Sequence, residues 1–258
     1  MYWRGLLFSA SLCLCCTNSV AQSTKSVPPP VIDSDRSVSW REFPSNILED
    51  QKAIWLFPVS IAHGQHVLPA IGIVGFTSAF IATDPHSAPP FRTTNAFHDF
   101  NQVLSSTNSG AMIAAVPLTI YGVGLLRKSS YAQRTALLAA EAFAGGYLLN
   151  LPMKVITARR QPATYSGNGP YVDSFFNGSH NPFKSGGFFS GHAAASMAVA
   201  AVVAHRYRRH RWVPIVAYGL AGAISFSRVT TSSHFPADAV MGSTIGFVIA
   251  RYVVLPQR

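Results

Sequence analysis

Residues 188–238 read FFSGHAAASMAVAAVVAHRYRRHRWVPIVAYGLAGAISFSRVTTSSHFPAD. The stretch opens on Phe188-Phe189-Ser190-Gly191-His192 and closes on Ser227, Arg228, His234 and Asp238. Two apolar segments lie between, split by the basic hairpin 206–211. Apolar runs of this length, bounded by turn and charge signals, read as helices. Two histidines, an arginine and a carboxylate then fall at the ends of apolar helices, where a helix start and a guanidinium suit an anion.

The same pattern extends outward. Apolar segments occupy 66–82, 110–126, 135–156, 188–205, 212–226 and 235–254, and no strand-like alternation of any length interrupts them. The expected fold is all-α, a bundle of about six core helices embedded in a membrane with its site at one end. The segments approach the ~20 residues needed to cross a bilayer. They are rich in Ala and Gly, which lets helices approach closely. Glu141, Asn150, His192 and Asp238 fall inside or at the ends of these segments, where polar groups face a bundle interior and mark function. A compact soluble helical domain is the alternative. A polar break at 83–109 is expected to hold a helix near 95–104, and 157–187 reads as a long Gly/Asn/Pro-rich loop.

Ahead of the bundle, residues 1–21 have the form of a secretory signal: Arg4, a short apolar core, and Ser19-Val20-Ala21 before Gln22. An uncleaved anchor is the alternative. All three cysteines lie there, so the mature chain would carry no disulfide framework and no thiolate metal site. Residues 22–45, with Pro28-Pro29-Pro30, read as a flexible tail, and 46–258 as the functional domain. The spacing Asn46 to Glu49 fits a capping box, and 48–55 an amphipathic helix along a surface or packed against the bundle.

The chain is 48% hydrophobic and only 12% charged, about half the usual ~25%. Its net charge of +10 is compatible with a membrane surface or phosphorylated substrates. The bases are not gathered into one patch with interleaved aromatics, so nucleic acid is not an expected partner. If positive loops stay cytoplasmic, 127–134 and 206–211 lie inside. Lys154, His192 and His234 then share the outer side. The same rule puts residue 66 inside, whereas a cleaved signal puts it outside.

Three clusters carry the chemistry. At Ser190-Gly191-His192, helix-start N–H groups favour an anion, and His192 is suited to giving a proton to a leaving oxygen. By itself such a turn is common before any helix. His234 and Asp238, four apart, share a helix face, so the carboxylate can fix the imidazole tautomer and leave the other nitrogen as a nucleophile. A capping histidine with a surface ion pair would give the same spacing. Arg228 offers a donor fork for phosphate oxygens. Lys154, Arg159 and Arg160 form a third cluster, either clamping a phosphate or anchoring a membrane edge.

Together these clusters resemble the type 2 phosphatidic-acid phosphatase and vanadium haloperoxidase superfamily. Its pattern is Lys-x6-Arg-Pro, Pro-Ser-Gly-His and Ser-Arg-x5-His-x3-Asp. Here the third motif is complete in Ser227, Arg228, His234 and Asp238; Phe189 stands for the Pro of the second, and Gln161 for the Arg of the first. The resemblance covers roughly 135–254. It implies His234 as nucleophile, Asp238 orienting it and His192 as acid, with Lys154, Arg228, Ser190 and Gly191 holding the phosphoryl oxygens. Arg159 or Arg160 would stand in for the missing arginine. No metal and no cofactor is implied. The expected function is a metal-independent phosphatase acting on a lipid phosphate or diphosphate, in a bacterial inner membrane with the site facing the periplasm. Alternatives are a soluble periplasmic acid phosphatase for small phosphomonoesters, a degenerate homologue that binds phosphorylated lipid, and a haloperoxidase.

Overall fold

The computed structural model describes residues 36, 38–166, 170–184 and 186–256, and the expected signal and most of the expected tail lie outside them. The described chain is helical: α1 Phe43–Ala62, α2 Val67–Ser87, α3 Pro89–Thr93, α4 His98–Val103, α5 Ser106–Leu126, α6 Ser130–Thr157, α7 Gly191–Arg206, α8 Trp212–Thr230 and α9 Pro236–Val248. A π-helical turn, Ile249–Val254, extends α9. All six expected segments are helices. Pro85 does not stop α2, which runs on to Ser87. The break after it holds α3 as well as the expected helix α4.

Packed structure is present upstream of Asn46. Arg36 and Val38 are buried, and α1 begins at Phe43 with Pro44 in its first turn. Asn46 is not a cap: its amide donates to Glu141 Oε1 at 2.8 Å. Arg36 explains this packing. Its guanidinium donates to both carboxylate oxygens of Asp50 (2.7 and 3.0 Å) and to Glu141 Oε2 (2.5 Å). Glu141 therefore does face the interior, as a partner of this ion cluster.

Alanine-rich α7 is the central helix, packed against α6, α8, α9 and α5. Its small side chains let neighbours come close, and α9 answers with its own small residues. A Cβ at Gly242 or Gly246 would overlap the carbonyl oxygens of Ser190 and Ala194. Around this seam Leu138, Ala142, Val199, Val202, Ile224 and Val254 form the core.

Among the described residues, five helical stretches are long and apolar enough to cross a membrane: Val67–Thr93, Ser106–Leu126, Ser130–Thr164, Trp212–Thr230 and Pro236–Val254. Leu68, Ile71, Leu118, Leu126, Ile215 and Leu220 stand exposed along them. Water would penalise so much contiguous apolar area, so the chain has the surface of a membrane protein.

The helices alternate in direction. Arg206 Nε meets Thr135 Oγ1 at 3.1 Å near one end of the α6/α7 pair, and Asn150 Nδ2 meets Phe189 O at 2.5 Å toward the other. The loops 127–134 and 206–211 therefore share one end, and Lys154, His192 and His234 share the opposite end. α2 is antiparallel to α9, with Thr77 Oγ1 on Met241 Sδ (3.2 Å) and Asp84 on the first turn of α9. Its C-terminus thus reaches the site end, and residue 66 lies toward the basic end.

Gly246→Val is expected to overpack the α7/α9 seam and cost about 1–3 kcal/mol. A lowered thermal transition of the detergent-solubilised chain would show it, and an unchanged one would mean the seam opens freely.

Candidate active site

His234 follows α8 and immediately precedes the start of α9. Asp238 fixes it there. As the third residue of α9, its Oδ2 accepts from Phe235 N at 2.9 Å, satisfying a helix-start donor. The same oxygen lies 3.4 Å from His234 Nδ1, close enough for an ion pair but not aligned as a hydrogen bond.

Behind Asp238 stands Arg159, 2% exposed. Its Nη1 donates to Asp238 Oδ1 at 2.5 Å, its Nη2 to Asp84 Oδ2 at 2.7 Å and its Nε to Ser174 Oγ at 3.0 Å. The guanidinium lies over the rings of Phe175 and Phe235, 4.4 and 4.3 Å from their centroids. Asp84 Oδ1 in turn accepts from Ala237 N at 3.0 Å. Two carboxylates thus hold the first turn of α9, and one arginine joins them.

In front of His234 lies a cavity of about 260 Å³. Lys154, Lys184, Gly191, His192, Arg228, Ser233 and His234 line its polar part, and Ile113, Phe143, Tyr147 and Phe183 an apolar part. Among the described residues, its lining includes three cations and no carboxylate. Arg228 is fully buried; its Nη1 donates to Ser106 Oγ at 2.7 Å and its Nη2 to Leu104 O. His192 Nε2 lies 3.0 Å from Ser106 O. The short connection between α4 and α5 thus positions both groups.

His192 opens α7, which is not among the five spanning stretches. Burial first, and the Arg228 guanidinium second, push its imidazole down to about 4. With that shift the imidazole is neutral at neutral pH. A bound dianion would reverse the local field and draw the proton back.

The structure brings together Lys154, Gly191, His192, Arg228 and His234 at one cavity, with Asp238 directly behind. Ser190 is fully buried and caps α7 through Ala193 N at 3.4 Å, so its role is to set the helix start. The expected clamp residues Arg159 and Arg160 are not in the cavity lining. Arg159 is held by two carboxylates, and Arg160 lies over Tyr165, 4.2 Å from the ring centroid. Gln161 is also outside the lining. Sequence reasoning missed Ser106, Lys184 and Asp84; only the Asp-Pro pair at 84–85, at the end of an apolar run, hinted at the last. Among the described residues, no three His, Cys, Asp or Glu side chains gather as a metal-ligand set.

Residues 135–257 match the family model described as PAP2 superfamily, the superfamily that the three motifs resemble. A solved structure with similarity is a transmembrane PAP2-type phosphatidylglycerolphosphate phosphatase from Bacillus subtilis. It is 17% identical, with 82% of this chain and 94% of that chain covered and a TM-score of 0.39. No curated protein matches the chain.

Arg159→Ala is expected to leave Asp84 and Asp238 buried without their cation and to cost about 3–5 kcal/mol. Arg159→Lys should recover only part of this, because an ammonium lacks the fork that reaches both carboxylates. Denaturation midpoints in detergent measure both, and a stable Arg159→Ala would show that the pair is dispensable.

Proposed function

We propose that the chain is a metal-independent phosphatase of the cell envelope that hydrolyses a lipid phosphate or diphosphate, with its site on the periplasmic side. The observation that carries this reading is the single cavity facing His234, His192, Lys154 and Arg228, cationic in its polar part and apolar along Ile113, Phe143 and Tyr147. An anionic headgroup fits the first part and an acyl or prenyl chain the second. The exposed apolar helices favour this lipid reading over a soluble phosphomonoesterase. The basic loops at the opposite end favour the periplasmic placement.

In the first step His234 Nε2 attacks phosphorus as the bond to the leaving oxygen breaks. His192 gives that oxygen its proton. Asp238 balances the charge that develops on the His234 ring. Lys154, Arg228 and the N–H groups opening α7 hold the nonbridging oxygens, where charge accumulates. Water then attacks the phosphohistidine and gives a proton to His192. The P–N bond breaks, releasing inorganic phosphate and neutral His234.

Phosphate release by the purified full chain tests the reading directly. The substrates are phosphatidic acid, a polyprenyl diphosphate, phosphatidylglycerol phosphate and p-nitrophenyl phosphate, each with and without EDTA. Turnover is expected on a lipid member, resistant to EDTA and absent in His234→Ala. No turnover on any member, with phosphate still bound, would instead mark a binding protein. His192→Ala is expected to slow alkyl leaving groups by about 10²–10⁴ and nitrophenolate far less, since only the former need the proton. In the wild type, kcat/KM for an alkyl ester, which reports the free enzyme, should fall as pH rises through about 4, where His192 loses its proton. Equal losses for both leaving groups would remove His192 from the acid's role.

A further inference from the structure

The loop over the site carries a cation of its own. Lys154 Nζ donates to the backbone oxygens of Lys184 at 2.8 Å and Pro182 at 3.4 Å. This approach requires Gly187, which has φ +79 and whose Cβ would lie 2.7 Å from Lys154 Cγ and 3.0 Å from Lys154 Cα. Gly187 N also donates to Arg159 O at 2.9 Å. The loop is thus pinned to the end of α6 at two points, and its exposed Lys184 lines the cavity beside Lys154 and His192.

The region where the superfamily pattern places its arginine delivers no cation to the cavity. Gln161 is outside the lining and packs toward Gly186, where a Cβ would lie 2.7 Å from its Cγ. Arg159 is committed to its carboxylates and Arg160 to Tyr165. Among the described residues, the cations lining the cavity are Lys154, Arg228 and Lys184.

We propose that Lys184 is a substrate-binding residue whose ammonium takes a nonbridging oxygen of the bound phosphoryl group, supplying from the loop the charge that position 161 lacks. The proposal rests on the phosphatase reading only for the identity of the anion. A solvated surface lysine is the bland account of an exposed loop residue. Against it stand the two-point anchoring of the loop and the place of Lys184 in the cavity wall. A flexible four-carbon stem suits a cation that reaches inward from a rim.

The test is the affinity of the full detergent-solubilised chain for inorganic phosphate and orthovanadate, by calorimetry, in wild type, Lys184→Ala, Lys184→Arg and Lys184→Glu. Lys184→Ala keeps the backbone contacts to Lys154, so its thermal transition should match wild type. Its anion affinity should fall by about tenfold, the usual worth of a charge-assisted hydrogen bond. Lys184→Glu should lose more, and Lys184→Arg should stay near wild type. For an ester that is turned over, KM should rise in Lys184→Ala with kcat little changed. Unchanged affinity in Lys184→Ala, or equal loss in Lys184→Ala and Lys184→Arg, overturns the proposal. Weakened anion binding by Lys184→Ala, in a chain whose wild type hydrolyses nothing, would sink the phosphatase reading and leave this one standing. Turnover in wild type with phosphate bound equally by Lys184→Ala would do the reverse.

Discussion

The site depends on one buried ion cluster, Arg159 between Asp84 and Asp238. Each carboxylate uses one oxygen for the arginine and the other for an N–H of the first turn of α9. Desolvating three charges is costly, and attraction offsets the cost only where geometry is close and the remaining donors are satisfied. Here both conditions are largely met. Nη1, Nη2 and Nε each have an acceptor within 3.0 Å, and two aromatic faces cover the guanidinium. An arginine is required because only a planar fork serves both carboxylates and stacks on rings. The cluster ties α2, the loop after α6 and α9 to one point, and that point lies directly behind His234.

The same device recurs between α1 and α6. Arg36 joins Asp50 of α1 to Glu141 of α6, again one arginine to two carboxylates. A bundle whose core is largely alanine and glycine buries little area per residue along α7, so shape alone specifies its register weakly. Buried ion clusters add specificity there, because any other register would leave charges unpaired. The first cluster fixes the reactive end. The second fixes how the chain enters the bundle.

The six apolar segments were legible because helical bundles repeat a local pattern, and the third motif because His234 and Asp238 are four residues apart on one helix start. Lys154, His192 and Arg228 were legible as separate clusters whose shared end followed from charged-loop alternation. Arg159 misled because its charge is visible in sequence and its partner is not: Asp84 lies 75 positions away, and only folding reveals that the pair is closed. Ser106 was invisible for a related reason, since it acts through a backbone oxygen and a hydroxyl that any small polar residue at a helix start would offer. Lys184 was hidden in a loop without periodicity, and its position follows from close packing at Gly187.

These placements divide the charges by sign across His234. The two carboxylates, Asp84 and Asp238, stand behind it, neutralised in part by Arg159. The cations stand in front, around the cavity. A ring in that position feels a field that stabilises positive charge on its rear nitrogen and negative charge at its front. That is the polarity required when a neutral imidazole attacks a phosphoryl group and becomes cationic. Moving Arg159 forward into the clamp, where its sequence position seemed to put it, would leave Asp84 and Asp238 facing each other unpaired. The arginine is therefore of most use behind the ring, and under the proposed phosphatase reading a bound phosphate would take its charges from the cations of the cavity wall.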